Sequence, residues 1–325
     1  MISAKSVGCI AMSFFKSFTS SLLALAATIA AWASVPLVLK YFATHTRLDG
    51  WTVNGLRYLF TSIFWLPFVV RMAKGDPAAC KGVVRAAWVP ALLHMVGQAS
   101  WGLAPYFNDA SVMNFVSRIS FLLTLVAGFW LLREERALSR SPLFWIGVAG
   151  SIVGLLAMFE GGLHTGNTSL PGMLLILGAS TCWAFYAVFV RKRMQDYPAR
   201  LGFGVVSLLV VPGLTALMFT FGDWRAAQEL TVQQWILLAV SGWIGISMGH
   251  VLYYHAVRTL GPIVSEGSLA MIPFVTAMLG GMLLGEHLLP SQWTGGTLLV
   301  AASLCLLAAK RGKAQSTVVE DPAGG

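Results

Sequence analysis

Ten stretches of this chain are nearly free of charge and long enough to cross a bilayer. They lie at about residues 19–41, 51–70, 87–107, 112–132, 143–159, 171–190, 202–221, 235–256, 264–284 and 292–309. Roughly 20 apolar residues in a helix traverse about 30 Å of hydrocarbon, so each stretch predicts a membrane-spanning helix. The longest connection, about 71–86, is a short basic loop, which leaves no length for a soluble domain. The expected fold class is therefore all-α integral membrane, with ten transmembrane helices.

The polar punctuation repeats. Pro142, Trp145 and Gly147 return 148 residues later as Pro290, Trp293 and Gly295, and Gly97, Tyr106 and Ser117 return as Gly245, Tyr254 and Ser265. Each copy holds five spans. An odd number inserts the second copy upside down, which predicts two inverted five-helix repeats with a binding region where the halves meet near the midplane. The expected divisions are an N-terminal cytoplasmic extension at 1–17, a first repeat at 18–160, a linker at 161–170, a second repeat at 171–310 and a cytoplasmic tail at 311–325.

Composition agrees with a polytopic membrane protein: 57% of residues are hydrophobic and 11% charged, and the mean hydropathy is +0.73, against about 25% charged in soluble domains. The net charge of +9 is explained by topology. With the N-terminus inside, 17 of the 22 basic residues fall on cytoplasmic segments, while Lys40, Arg47 and Arg225 fall outside and Arg57 and Arg118 within spans. The excess of basic residues on one side places both termini in the cytoplasm. It leaves no groove-sized basic patch for nucleic acid. Ala31-Trp32-Ala33-Ser34 resembles a signal-peptidase site after an apolar core, but the run continues to Lys40. Trp32-Ala33 with Lys40 is also matched by Trp183-Ala184 with Arg191, so cleavage would delete one helix of the repeat. Residues 1–17 have no counterpart in the second half and are expected to be flexible.

The four cysteines, Cys9, Cys80, Cys182 and Cys305, are scattered without C-x-x-C spacing, and no metalloprotease, phosphate-loop or nucleophile-elbow pattern occurs. His250 and His255 stand about 140° apart around a helix, which argues against a shared metal. No catalytic residue, metal or cofactor is expected. A membrane-embedded enzyme or sensor is the alternative reading, and it would need a clustered nucleophile and base or a metal set.

Tyr254 and Ala256, then Leu260-Gly261-Pro262 with Ser265, Pro273, Leu283-Leu284-Gly285-Glu286 and Gln292-Trp293 with Gly295, together resemble the second EamA domain of the drug/metabolite transporter superfamily. The first half resembles the other EamA domain through Trp32-Ala33 with Lys40, Asn54-Gly55-Leu56-Arg57 and Leu131-Leu132-Arg133-Glu134. It departs by lacking a proline in the fourth span and by an earlier Glu134. The resemblance, over about residues 20–310, implies a secondary transporter that exports amino acids or related small metabolites by alternating access, without ATP hydrolysis.

Candidate cavity residues follow from polar and aromatic positions at helical spacing. His94, Gln98 and Trp101 share a face of the third span, and Trp243, Ser247, His250 and Tyr254 share one of the eighth. Such stripes turn away from hydrocarbon because unpaired polar groups are costly there. Trp32 and Trp183 lie mid-span, away from the interfacial belt. Arg118, with Asn114 and Ser117 on its face, could hold a substrate carboxylate; Arg57 and Arg118 could equally be neutralised by Asp109 and Glu160 near the outer surface. Glu266 occupies the repeat position of Arg118 and could meet a substrate ammonium, a coupling H+, or Arg258. Pro36 and Pro273 predict bends. Gly150 with Gly154, Gly245 with Gly249 and Gly281 with Gly285 predict close helix packing, within the chain or in a homodimer.

The charge asymmetry carries a direct test. An impermeant thiol reagent applied to intact cells should label Asn167→Cys and not Asp76→Cys; labelling at Asp76→Cys contradicts the topology.

Overall fold

The structure, a computed structural model, describes residues 4–159, 169–284 and 288–320, and among them it is helical with no strand. Glu160, Asn167, Gly285 and Glu286 lie outside the described residues, as do the side chains of Cys9 and Lys16. The first repeat contributes α1 (Ala4–His45), α2 (Gly50–Gly75), α3 (Pro77–Leu103), α4 (Ala110–Val116), α5 (Ile119–Leu131) and α6 (Pro142–Phe159). The second contributes α7 (Leu170–Met194), α8 (Ala199–Phe221), α9 (Val232–Ser241), α10 (Gly249–Leu260), α11 (Pro262–Leu269), α12 (Ile272–Leu284) and α13 (Pro290–Glu320).

The chain is an integral membrane protein of apolar helices. Among the described residues nine segments are long and apolar enough to cross a bilayer. The remaining expected span, α3, has 27 residues, about 40 Å of helix, but carries Lys81, Arg85, His94 and Gln98. It is packed among α2, α7 and α8. Large apolar side chains such as Ile63, Val126 and Trp130 face outward from the bundle, as expected where hydrocarbon replaces water.

Local chemistry sets the helix ends. Asp49 accepts from the Thr52 N–H at 2.9 Å to start α2, and Asp76 accepts from the Ala79 N–H at 2.9 Å to start α3 behind Pro77. Thr231 and Gln234 form a reciprocal capping box on α9. Gly261, at φ +83°, stops α10 in the left-handed region, and Pro262 opens α11 immediately after.

Helix pairing carries the repeat into three dimensions. In the 148-residue register α1 corresponds to α7, and α3 to the α9–α10 span. The structure packs α1 on α10 and α3 on α7, while α2 packs on its own counterpart α8 and α6 on α13. These exchanged pairs are what a two-fold relation between the halves produces. The glycine spacing serves packing within the chain. A Cβ at Gly154 would lie 3.0 Å from the Gly295 carbonyl oxygen, and one at Gly295 would lie 2.5 Å from the Met158 nitrogen.

One expectation is corrected. Residues 4–17, expected to be flexible, continue the first span as one helix from Ala4. The last helix runs on to Glu320, into the expected tail. The eighth span is not uniform either: Gly242–Met248 forms a π-helical stretch between α9 and α10. The wider turn shifts the helical phase, so Trp243 is 45% exposed on the outer face, its Nε1 donating to the Phe60 carbonyl. His250 and Tyr254 remain buried.

Candidate functional site

Both halves break the helix that comes fourth in the repeat, and the breaks meet. Pro273 has no N–H, so the Leu269 carbonyl four residues earlier loses its helical donor. The helix divides there into α11 and α12. In the first half the division falls at Ser117 and Arg118, between α4 and α5, without a proline. Arg118 Nη1 donates to the Leu269 carbonyl at 2.8 Å, and Nη2 donates to Ser117 Oγ at 3.0 Å. The cation of one repeat thus satisfies the carbonyl that proline frees in the other.

Around this junction lies a cavity of about 80 Å³, room for several waters at roughly 10–15 Å³ each. Its wall brings together Trp32, Gln98, Trp101, Asn114, Arg118, Trp183, His250 and Glu266, eight of the expected site residues. The tryptophans are placed reciprocally. Trp32 Nε1 donates to the Gly245 carbonyl at 2.9 Å, and Trp183 lies against Gly97, where an added Cβ would sit 3.0 Å from its Nε1. Gly97 and Gly245 are repeat partners, so each half lays an indole on the other half's glycine. Trp183 also packs on Trp101 with centroids 5.0 Å apart, and Trp32 on His250 at 4.8 Å.

The polar walls are only partly satisfied. Among the described residues Arg118 Nε and Asn114 Oδ1 have no hydrogen-bond partner. Glu266 accepts from Tyr253 Oη at 2.5 Å and from Ser120 Oγ at 3.2 Å, so its place is in the cavity and not beside Arg258. Asp109, expected to neutralise an arginine, forms a salt bridge with Lys40 at 3.4 Å. Lys40 also donates to the Pro105 and Asn108 carbonyls.

Two expected residues stand behind the wall. His94 Nε2 is 2.7 Å from Tyr58 Oη, and its ring stacks on Tyr186 at 4.8 Å. Tyr254 lies 2.9 Å from Tyr186, oxygen to oxygen. They back the cavity residues and do not line the space. The stripes missed Tyr186, Tyr253, Ser120 and Arg57 as lining groups. Tyr186 and Tyr253 each follow a selected residue, Trp183 and His250, by three positions, so a wider stripe would have included them. A larger groove of about 690 Å³ between the ends of α1, α2, α8 and α10 has a mainly apolar wall, with Arg200 and Arg258 but no acidic residue lining it.

The profile of the EamA-like transporter family matches residues 170–308. Over this segment the chain is similar to that family. The uncharacterized inner membrane transporter YedA of Escherichia coli strain K12 is 24% identical over 281 residues, covering 82% of this chain and 86% of the relative. The threonine/homoserine exporter RhtA of the same strain is 27% identical over 173 residues, 51% of this chain and 55% of the relative. The uncharacterized transporter YwfM of Bacillus subtilis strain 168 is 25% identical over 175 residues, 52% and 55% of the two chains. One solved crystal structure superposes with a TM-score of 0.66 at 16% identity, over 90% of this chain and 98% of its own. These relatives carry transporter names, and the structural likeness extends over both halves of the EamA-containing chain.

The junction of the breaks can be tested by a double-mutant cycle. Arg118→Ala should cost about 1–3 kcal/mol by leaving the Leu269 carbonyl unsatisfied. Pro273→Ala restores the missing N–H, so the double variant should recover part of the loss. Additivity in detergent melting, within roughly 0.5 kcal/mol, contradicts the contact.

Proposed function

We propose that this protein is a secondary transporter of the inner membrane that exports small amphoteric metabolites, amino acids or close relatives, by alternating access. The carrying observation is that Arg118 and Glu266, of opposite charge and 148 residues apart, line one cavity at the junction of the repeats. Arg118, with a free Nε, and Asn114 are suited to a carboxylate, and Glu266 to an ammonium. The indoles of Trp32, Trp101 and Trp183 pack the substrate's apolar part. The exporter name of RhtA supports the direction and the substrate class.

Glu266 can hold either a proton or a substrate ammonium, which makes H+ the proposed coupling ion. The aromatic layer formed by Tyr58, His94, Phe203 and Tyr254 packs behind the cavity, against the lining residue Tyr186. It fixes the orientation of His250, whose ring stacks on Phe203 at 4.7 Å. In the proposed cycle these residues close the space toward the end of the bundle where the basic residues concentrate. Opening would require this layer to part while the opposite end, with Lys40 and Asp109, closes.

Counterflow in proteoliposomes tests the proposal. The purified chain should accumulate labelled amino acid against a gradient of the unlabelled compound, which a channel, sensor or enzyme cannot do. Arg118→Lys keeps the charge but loses the planar fork, and its substrate affinity should fall at least about tenfold, or 1.4 kcal/mol. Trp32→Ala and Trp183→Ala should lower exchange more than membrane abundance. Wild-type affinity in Arg118→Lys removes Arg118 from the binding site, and parallel loss of protein and exchange in the tryptophan variants assigns them to packing.

A further inference from the structure

The cavity wall holds two arginines and one carboxyl group: Arg57, Arg118 and Glu266. Arg118 and Glu266 offset one another, which leaves Arg57 as an extra cation. It is only 2% exposed, and both of its hydrogen bonds go to neutral groups, Nε to Ser241 Oγ at 3.1 Å and Nη2 to the Ser241 carbonyl at 3.4 Å. The four salt bridges among the described residues involve Lys40 with Asp109, Arg47 with Glu229, Arg191 with Glu134 and Lys310 with Glu135. None reaches Arg57. A guanidinium carries five N–H groups, so three remain for a ligand.

The surroundings hold this group at the cavity and bar it from reaching the membrane surface. Gly242 and Gly245 of the π-helical stretch let α2 approach closely: an added Cβ would lie 2.8 Å from the Arg57 carbonyl oxygen at Gly242, and 3.4 Å from Arg57 Nη2 at Gly245. Ser241, at the entrance of that stretch, orients the guanidinium, its own hydroxyl donating to the Leu238 carbonyl at 2.8 Å. A buried cation with no counter-charge among the described residues is costly, and inside a membrane such groups mark substrate paths.

We infer that Arg57 receives a second acid group of the substrate. The transported metabolite is then an acidic amphoteric compound with two acid groups and one ammonium, of net charge −1, which neutralises the cavity. Arg118 with Asn114 takes one acid group, Arg57 takes the other, and Glu266 takes the ammonium. This rests on the transport reading above and narrows its substrate class. A site built for a charged group rejects the isosteric amide because its own buried donors are then poorly paired.

Counterflow of the reconstituted full chain with glutamate and glutamine, which differ by one acid against one amide, is the test. Wild-type protein should exchange glutamate at least tenfold better than glutamine. Arg57→Gln should abolish or invert that order, and Arg57→Lys should keep it. Should Arg57→Gln fail to fold, Glu266→Gln supplies the second arm: losing the ammonium partner should shift preference from glutamate to glutarate, the same diacid without the amine. Equal exchange of glutamate and glutamine by the wild type, or a retained glutamate preference in Arg57→Gln, overturns the inference while leaving a working transporter. A folded wild-type protein that exchanges threonine but none of the three probes also overturns it, whereas failure with threonine as well removes the transport reading itself.

Discussion

One missing N–H organises the centre of this protein. Pro273 strips the Leu269 carbonyl of its helical partner, and a backbone carbonyl inside a bilayer needs another donor in its place. Arg118 from the opposite repeat supplies the donor at 2.8 Å. That contact joins two broken helices, places a cation at the junction of the repeats, and puts Glu266, one turn before Leu269 on α11, into the same cavity. The acceptor belongs to the backbone, so the contact leaves part of the guanidinium's donor set free.

The repeat supplies geometry, and departures from it supply chemistry. Equivalent glycines on α3 and the eighth span each receive an indole from the other half, which sets two matching walls. Position 118 in one copy and position 266 in the other carry opposite charges, so a near-symmetric cavity becomes polar along one direction. The eighth span adds a π-helical stretch that its counterpart α3 lacks. That stretch rotates Trp243 outward and brings Ser241, Gly242 and Gly245 against Arg57.

Much of this was legible in the sequence because the bilayer imposes simple rules. Length and apolarity marked the spans, and mid-span tryptophans marked cavity walls. The polar start of α1 was misleading, since lack of repeat equivalence says nothing about helix propensity. Arg118 was identified, but its acceptor was not, because the adjacency of the two breaks is a non-local fact. Asp109 was offered as one partner for an arginine on depth alone, whereas it pairs with Lys40 at 3.4 Å. His94 and Tyr254 share stripes with lining residues yet sit behind them, as spacing gives a face and not a depth.

The central claim is that one cavity between the two halves is reached alternately from the two sides of the membrane. Val35 lines it with an aliphatic side chain of about cysteine size, so Val35→Cys in a chain freed of its native cysteines reports access with little disturbance. An impermeant thiol reagent should modify it both in intact cells and in inverted vesicles, with the ratio of the two rates changing when transported substrate is added. Modification from one side alone, at a rate indifferent to substrate, would contradict alternating access at this site.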